Sequence, residues 1–266
     1  MELTKSILVQ FLNETNVKDE YIHLLTDNID QYQVAFTSPS YNPITNYEMY
    51  EMLGDSTANE AMVWYFYNLF PQLHCPQGVK IIARLKINNS NTESFSAFSK
   101  RLGFLPYIRA LPEELEDKDV QLKIMEDVFE AFIGVTKLTL VEKFGYMGVG
   151  NQIVFNMIKT LMDERNIILD PEELYDTKTR LKELFDKRDI QNMYGKIKYV
   201  YIDKPKTVKI FFVQNGNFTF ISQGEGNTKS IQEKDAAGKA LEFLKSQGVE
   251  TEKKFRLFCS NFFNKQ

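Results

Sequence analysis

The sequence is short of the residues that most compact catalytic sites use. Among 266 residues there are two histidines, His23 and His74, and two cysteines, Cys75 and Cys259. A Ser-His-Asp or Cys-His relay needs a histidine beside its nucleophile, and so small a supply argues against that chemistry. His74 and Cys75 are adjacent, yet zinc takes four N, S or O ligands and no second ligand pair is evident. Two distant cysteines fit a reducing, intracellular compartment better than a disulfide scaffold, with cytoplasm, nucleus and organelle all open. No apolar run approaches the ~18 residues of a membrane span. The opening MELTKSILVQFLNETN lacks the basic start and long apolar stretch of a secretory leader. Internal repeats and low-complexity tracts are missing too.

What is present suits one large domain or two ordinary ones. Hydrophobic residues make up 43% and charged residues 26%, so the chain can bury a core. The net charge of −4 conceals an uneven spread: −12 over residues 1–177, +6 over 178–246 and +2 over the last twenty. An acidic front and a basic back suggest two domains with different tasks, the back one meeting a polyanion.

Periodicity predicts helices over 17–35 and 46–70. Thr45 caps the second, Glu48 completes a capping box and Pro71 ends it. Shorter helical pieces follow over 79–110, broken at Gly103 and Pro106. LPEELEDKDV reads as an acidic loop or a helix start. The stretch from Val120 to Gly145 is helical and apolar on several faces, which marks a helix buried inside a bundle. A further helix over 151–165 completes an all-α front. Residues 166–177 change character and read as a linker. Beyond them the order is α-β-β-β-α. The strands KIKYVYI, TVKIFFV and FTFISQ are joined by the turn signals DKPK and NGN, and a last helix ends at Gly248. The fold class is α+β overall.

One feature of the front needs a reason. Glu48, Glu51 and Asp55 recur at three and four residues, so one helical face carries all three. Like charges stacked this way cost a helix roughly 0.2–0.5 kcal/mol per pair. Capping accounts for Glu48 but not for Glu51 and Asp55. Downstream, Asp127 and Glu130 lie three residues apart on the most apolar helix. A carboxylate buried without a partner is costly or takes up a proton. A divalent cation removes that cost. Magnesium takes oxygen ligands, and carboxylates from two facing helices supply them. Pairs of such ions are the usual apparatus for phosphodiester hydrolysis. Spacing alone does not make the helices face each other, so solvated acidic faces remain the alternative.

YEMYEMLGDS resembles the ribonuclease III signature Asn-Glu-Arg-Leu-Glu-Phe-Leu-Gly-Asp-Ser. QVAFTSPSYNPITN, FSKRLGFLPYIR and EDVFEAFIGV are similar, in order, to the family's ALTHxSY…N, LAxxLGLxxYI and ADxFEALIGA segments. The resemblance covers roughly 15–165. It implies an all-α endonuclease domain over 1–165 whose metal-binding and catalytic acids are Glu51, Asp55, Asp127 and Glu130. It further implies magnesium, with manganese able to substitute, and hydrolysis of double-stranded RNA to 5′-phosphate and 3′-hydroxyl ends. One acid cluster per chain cuts one strand, so a homodimer is implied, with Met52 in place of the family's plugging Phe. Other departures are Met49 for Arg and Ser38 for His.

The α-β-β-β-α order over 178–248 resembles a double-stranded RNA-binding domain, followed by a tail over 249–266. GEGNTKSIQEKDAAGKALEFL is similar to the family's GxGxSKKxAKxxAAxxAL at Gly224, Gly226, Thr228, Lys229, Ala236, Ala237, Ala240 and Leu241. Such domains read A-form geometry rather than base sequence. The resemblance places RNA contacts at Glu183, Lys204, Lys206, Thr228, Lys229 and Lys234. Ser230 and Glu233 stand where the pattern has lysine, so the basic cluster is expected to be thinned. A non-catalytic RNA-binding or scaffold protein of the same fold is the second reading, and no membrane contact is expected.

Overall fold

A computed structural model describes residues 1–167, 169, 174–204 and 206–251; the side chain of Lys206 lies outside the description. The chain divides into two compact units after Ile167. Among the described residues no helix is long and apolar enough to cross a membrane.

The first unit is all-α. Its helices are α1 (Lys5–Glu14), α2 (Asp19–Asp27), α3 (Ile29–Ala35), α4 (Glu48–Leu69), α5 (Pro76–Asn89), α6 (Thr92–Leu102), α7 (Pro112–Glu116), α8 (Lys118–Phe144) and α9 (Met147–Asp163). The centre is α8, where every residue from Ile124 to Thr136 is buried. Only a helix enclosed by others loses water on all faces. Helices α4, α6 and α9 pack along it. Aromatic rings fill the gaps. Phe104 lies 4.8 Å from Phe11, 4.9 Å from Phe36 and 5.1 Å from Phe132, centre to centre. These are tilted and edge arrangements, the favourable ones for aromatic pairs.

Two local expectations change, and an open reading is settled. Helix α1 forms although the periodicity reading began at residue 17; its Leu8, Phe11 and Leu12 are buried, an i, i+3, i+4 pattern. The helix expected over 17–35 is two, because Asn28 leaves helical geometry and turns its side-chain amide back to the Leu24 carbonyl. The acidic segment is a short helix, and Asp117 then caps α8 by accepting from the Asp119 and Val120 amides.

The second unit comprises α10 (Thr177–Phe185), α11 (Arg188–Tyr194), β1 (Lys196–Asp203), β2 (Lys206–Gln214), β3 (Asn217–Gly224) and α12 (Lys229–Ser246). Helix α11 is an addition to the expected order. The strands form one antiparallel sheet in the order β1-β2-β3. Asn215 and Gly216, both at positive φ, make the two-residue turn between β2 and β3. On one sheet face, Val208, Ile210 and Phe212 meet Ala236, Ala237, Ala240 and Leu241 of α12. Small residues let the helix sit close, and at Gly224 a Cβ would fall 1.9 Å from the Gln232 carbonyl oxygen. Residues 168 and 170–173 of the proposed linker 166–177, and the tail beyond residue 251, lie outside the described residues.

Candidate active site

Two glycines decide where the acids meet. A Cβ on Gly54 would lie 1.7 Å from the Glu130 carbonyl oxygen, and one on Gly134 would lie 2.0 Å from that of Tyr50. Helices α4 and α8 therefore touch backbone to backbone, which only glycine permits. That contact turns the Glu51 face of α4 onto the Asp127 and Glu130 face of α8. Carboxylate oxygens of Glu51, Asp127 and Glu130 come within 4.8 Å of one another. Asp127 and Glu130 are buried and Glu51 is half-buried. Asp55 is exposed and stands outside this group of three; its Oδ1 accepts from the Asn59 amide at 2.6 Å.

Around the cluster are three groups that the spacing argument missed. The Lys123 ammonium lies 2.6 Å from Asp127 Oδ1 and 3.0 Å from Glu126 Oε2. Glu126 is itself buried. The Tyr47 hydroxyl donates to Asp127 Oδ2 at 3.2 Å. Lys123 was open to detection, since it precedes Asp127 by four residues on the same helical face. Tyr47 was not, because its contact spans eighty positions.

The electrostatics are those of an acid excess. Burial, then the Asp55 charge, pushes the Glu130 carboxyl up to about 9. Burial also raises Asp127, against the pull of Lys123. Glu51 is raised by burial and next by Asp127. For Lys123 burial works downward, but the hydrogen bonds and charges of Asp127 and Glu126 outweigh it and hold the ammonium charged. One lysine does not balance this set. A net-negative, largely buried cluster of carboxylate oxygens has the donor chemistry of a hard divalent cation, so the residues fit such an ion.

The capping role expected for Glu48 does not hold. Helix α4 starts at Glu48 with Tyr47 at its cap position and no side-chain cap, so Glu48 is one helical residue in rather than three. The amides of Ile44 and Thr45 are instead bound by Asn42 Oδ1, and that of Glu48 by Asn46 Oδ1. Glu48 is exposed, and its charge acts on Glu51.

Residues 48–140, which carry this cluster, match the Ribonuclease III domain. A protein of Invertebrate iridescent virus 6, provisionally named ribonuclease 3, is 34% identical over 255 residues, spanning 89% of this chain and 86% of its own length. The chain belongs to the ribonuclease III family. Ribonuclease 3 of Lactobacillus acidophilus is 31% identical over 248 residues, which is 89% of this chain and 98% of that enzyme. A Frog virus 3 protein, also provisionally named ribonuclease 3, is 35% identical over 234 residues; the match takes in 88% of this chain but 61% of that longer protein. Among solved structures, the nuclease domain of ribonuclease III from Campylobacter jejuni aligns with 60% of this chain and 96% of its own, at 19% identity and a TM-score of 0.44. Because residues 48–140 match the family's domain, the helical unit is a nuclease domain of the ribonuclease III type.

In the second unit of this ribonuclease III, the hairpin end and the start of α12 line one groove, through Tyr201, Asp203, Thr207, Asn227, Lys229 and Gln232. Thr228 caps α12 by accepting from the Ile231 amide at 3.3 Å. The Lys229 ammonium lies 4.1 Å from the centre of the Tyr201 ring. Lys204 is exposed in the β1–β2 turn, and Lys234 is exposed one turn along α12. Glu183 is half-buried on α10. Lys206 begins β2. Glu233 corrects the reading of it as a missing surface lysine. It is buried, receives a hydrogen bond from Lys178 at 2.5 Å and another from the Tyr201 hydroxyl at 2.6 Å, and ties α12 to α10 and β1.

Proposed function

We propose that this ribonuclease III cleaves double-stranded RNA with magnesium held by Glu51, Asp127 and Glu130 and with Asp55 beside them. The observation that carries the reading is the convergence of three carboxylates from two helices at a buried, under-compensated site. A pair of such ions, when bound, supplies an activated water and steadies the departing oxygen, which leaves 5′-phosphate and 3′-hydroxyl ends. Manganese, another cation suited to oxygen ligands, substitutes. The protein's own residues hold the acids in place. Tyr47 and Lys123 orient Asp127, and the Gly54–Gly134 contact sets the distance between the two acidic faces.

The reading includes a homodimer. Met49, Met52, Leu53, Val63, Trp64 and Tyr67 are exposed along α4, with Met52 71% open to solvent. So much apolar surface on one helix suits a partner copy, and two copies bring one acid cluster to each RNA strand. The second unit serves as a double-stranded RNA-binding domain, meeting phosphates through Lys204, Lys206, Lys229 and Lys234, with Thr228 and Glu183 beside them. A reducing, intracellular setting suits the two cysteines.

The test is a short perfect RNA duplex with labelled 5′ ends, incubated with the full chain and magnesium. Cuts on both strands with ligatable 5′-phosphates support the reading, and chelation stops them. Intact duplex in magnesium and in manganese refutes it.

A further inference from the structure

The sheet of the second unit has a second face, opposite α12, and its composition is unusual. Phe218 and Phe220 are each 53% exposed there. Phe211 stands beside them, its ring centre 6.3 Å from Phe218 and 5.8 Å from Phe220, in edge-on arrangements. The Lys198 ammonium lies 5.0 Å from the Phe218 ring centre, and that of Lys209 lies 5.9 Å from Phe220. Lys196, which opens β1, is exposed in register with Val213, which pairs with Phe218. Following the alternation of the strands, no described residue on this face is a carboxylate. The lysines proposed to meet duplex RNA lie elsewhere on this unit, Lys204 in the β1–β2 turn and Lys229 and Lys234 on α12.

We infer that this outer sheet face binds unpaired nucleotides of RNA, with bases stacked on Phe211, Phe218 and Phe220 and phosphates met by Lys196, Lys198 and Lys209. Open aromatic rings set among ammonium groups match a ligand that alternates flat π faces with negative charge. A duplex does not qualify, because its bases already stack on one another and show only their edges. A second copy of this face is disfavoured, since two-fold pairing sets the same patch against itself and brings lysines toward lysines. The inference goes beyond duplex cleavage and does not depend on it. The face would hold single-stranded ends or loops that flank a duplex.

The experiment uses the full chain with a chelator present, so that nothing is cut. A fluorescent oligouridylate of about 12 nucleotides is titrated and followed by anisotropy. Phe218→Thr with Phe220→Thr removes both exposed rings while keeping residues that favour strands. Oligouridylate affinity is expected to fall about tenfold or more, while duplex RNA affinity stays within about twofold because its contacts lie on another surface. Lys198→Gln weakens binding less and flattens its salt dependence. Photocross-linking of a 4-thiouridine oligonucleotide to the wild-type protein should mark the peptide spanning 211–220. Undetectable oligouridylate binding by the wild type, equal affinity of the double variant, parallel loss of single-strand and duplex binding, or cross-links confined to α12 would each overturn the inference. Failure of duplex cleavage alone leaves it standing.

Discussion

Two buried glutamates, one in each unit, show how differently the same side chain can be treated. Glu130 is 5% exposed and Glu233 is 8% exposed. Around Glu130 the nearest charges are mostly acids, and its carboxyl is driven up to about 9 by burial and then by Asp55. Around Glu233 burial also pushes upward, but the hydrogen bonds from Lys178 and Tyr201 prevail and hold the carboxyl below its ordinary value. Glu233 is a satisfied structural tie. Glu130 is left in debt by the fold, and a carboxylate kept in that state makes sense where a cation arrives from outside. Burial by itself therefore does not mark a site; the balance of partners does.

The largest expected effect comes from Glu130→Gln, which keeps shape and removes the charge. Duplex cleavage in magnesium should fall on the order of 10²–10³-fold. In the absence of divalent ions, melting should stay at or above the wild-type temperature: with its carboxyl pushed up to about 9, wild-type Glu130 must take up a proton to be buried near neutral pH, a cost that the neutral amide does not carry. Wild-type cleavage by this variant, or a clear fall in its melting temperature, would break the contrast.

Gly54→Ala moves the walls instead of the charge. The new methyl has no room against the Glu130 carbonyl. The expected cost is about 2–3 kcal/mol of stability, the usual scale for overpacking, with loss of cleavage as the two acidic faces separate. Denaturant unfolding and a cleavage assay on the same preparation check both parts. A variant as stable as the wild type would show that the helices do not cross as closely as described.

Glu233→Gln should be the mildest. It weakens two charge-assisted hydrogen bonds and should cost the second unit about 1–2 kcal/mol, with the nuclease cluster untouched. The pH dependence has a definite sign. A carboxyl held below its unfolded value, about 4.3 for Glu, contributes stability above that value and loses it as the pH falls through the folded one. The stability gap between wild type and variant should be widest near neutrality and close on acidification. A gap that is flat, or that widens toward low pH, would place Glu233 with Glu130 rather than opposite it.

Much of this was legible in the residues alone. Spacing put Glu51 with Asp55 on one face and Asp127 with Glu130 on another. Alternation and the Asn-Gly turn located the strands, and the apolar girth of α8 marked it as central. Each of these depends on neighbours within a few positions, and the repeat of a helix or strand dictates how such neighbours line up. Tertiary structure decided the rest. It joined three of the acids within 4.8 Å, left Asp55 outside that group with Asn59, brought Lys123 and Tyr47 to Asp127, moved Glu48 out of a capping role and buried Glu233. A periodic pattern says which side chains share a face but not which faces meet. Here the meeting of faces was set by two glycines, Gly54 and Gly134, whose missing side chains let backbones eighty residues apart come into contact.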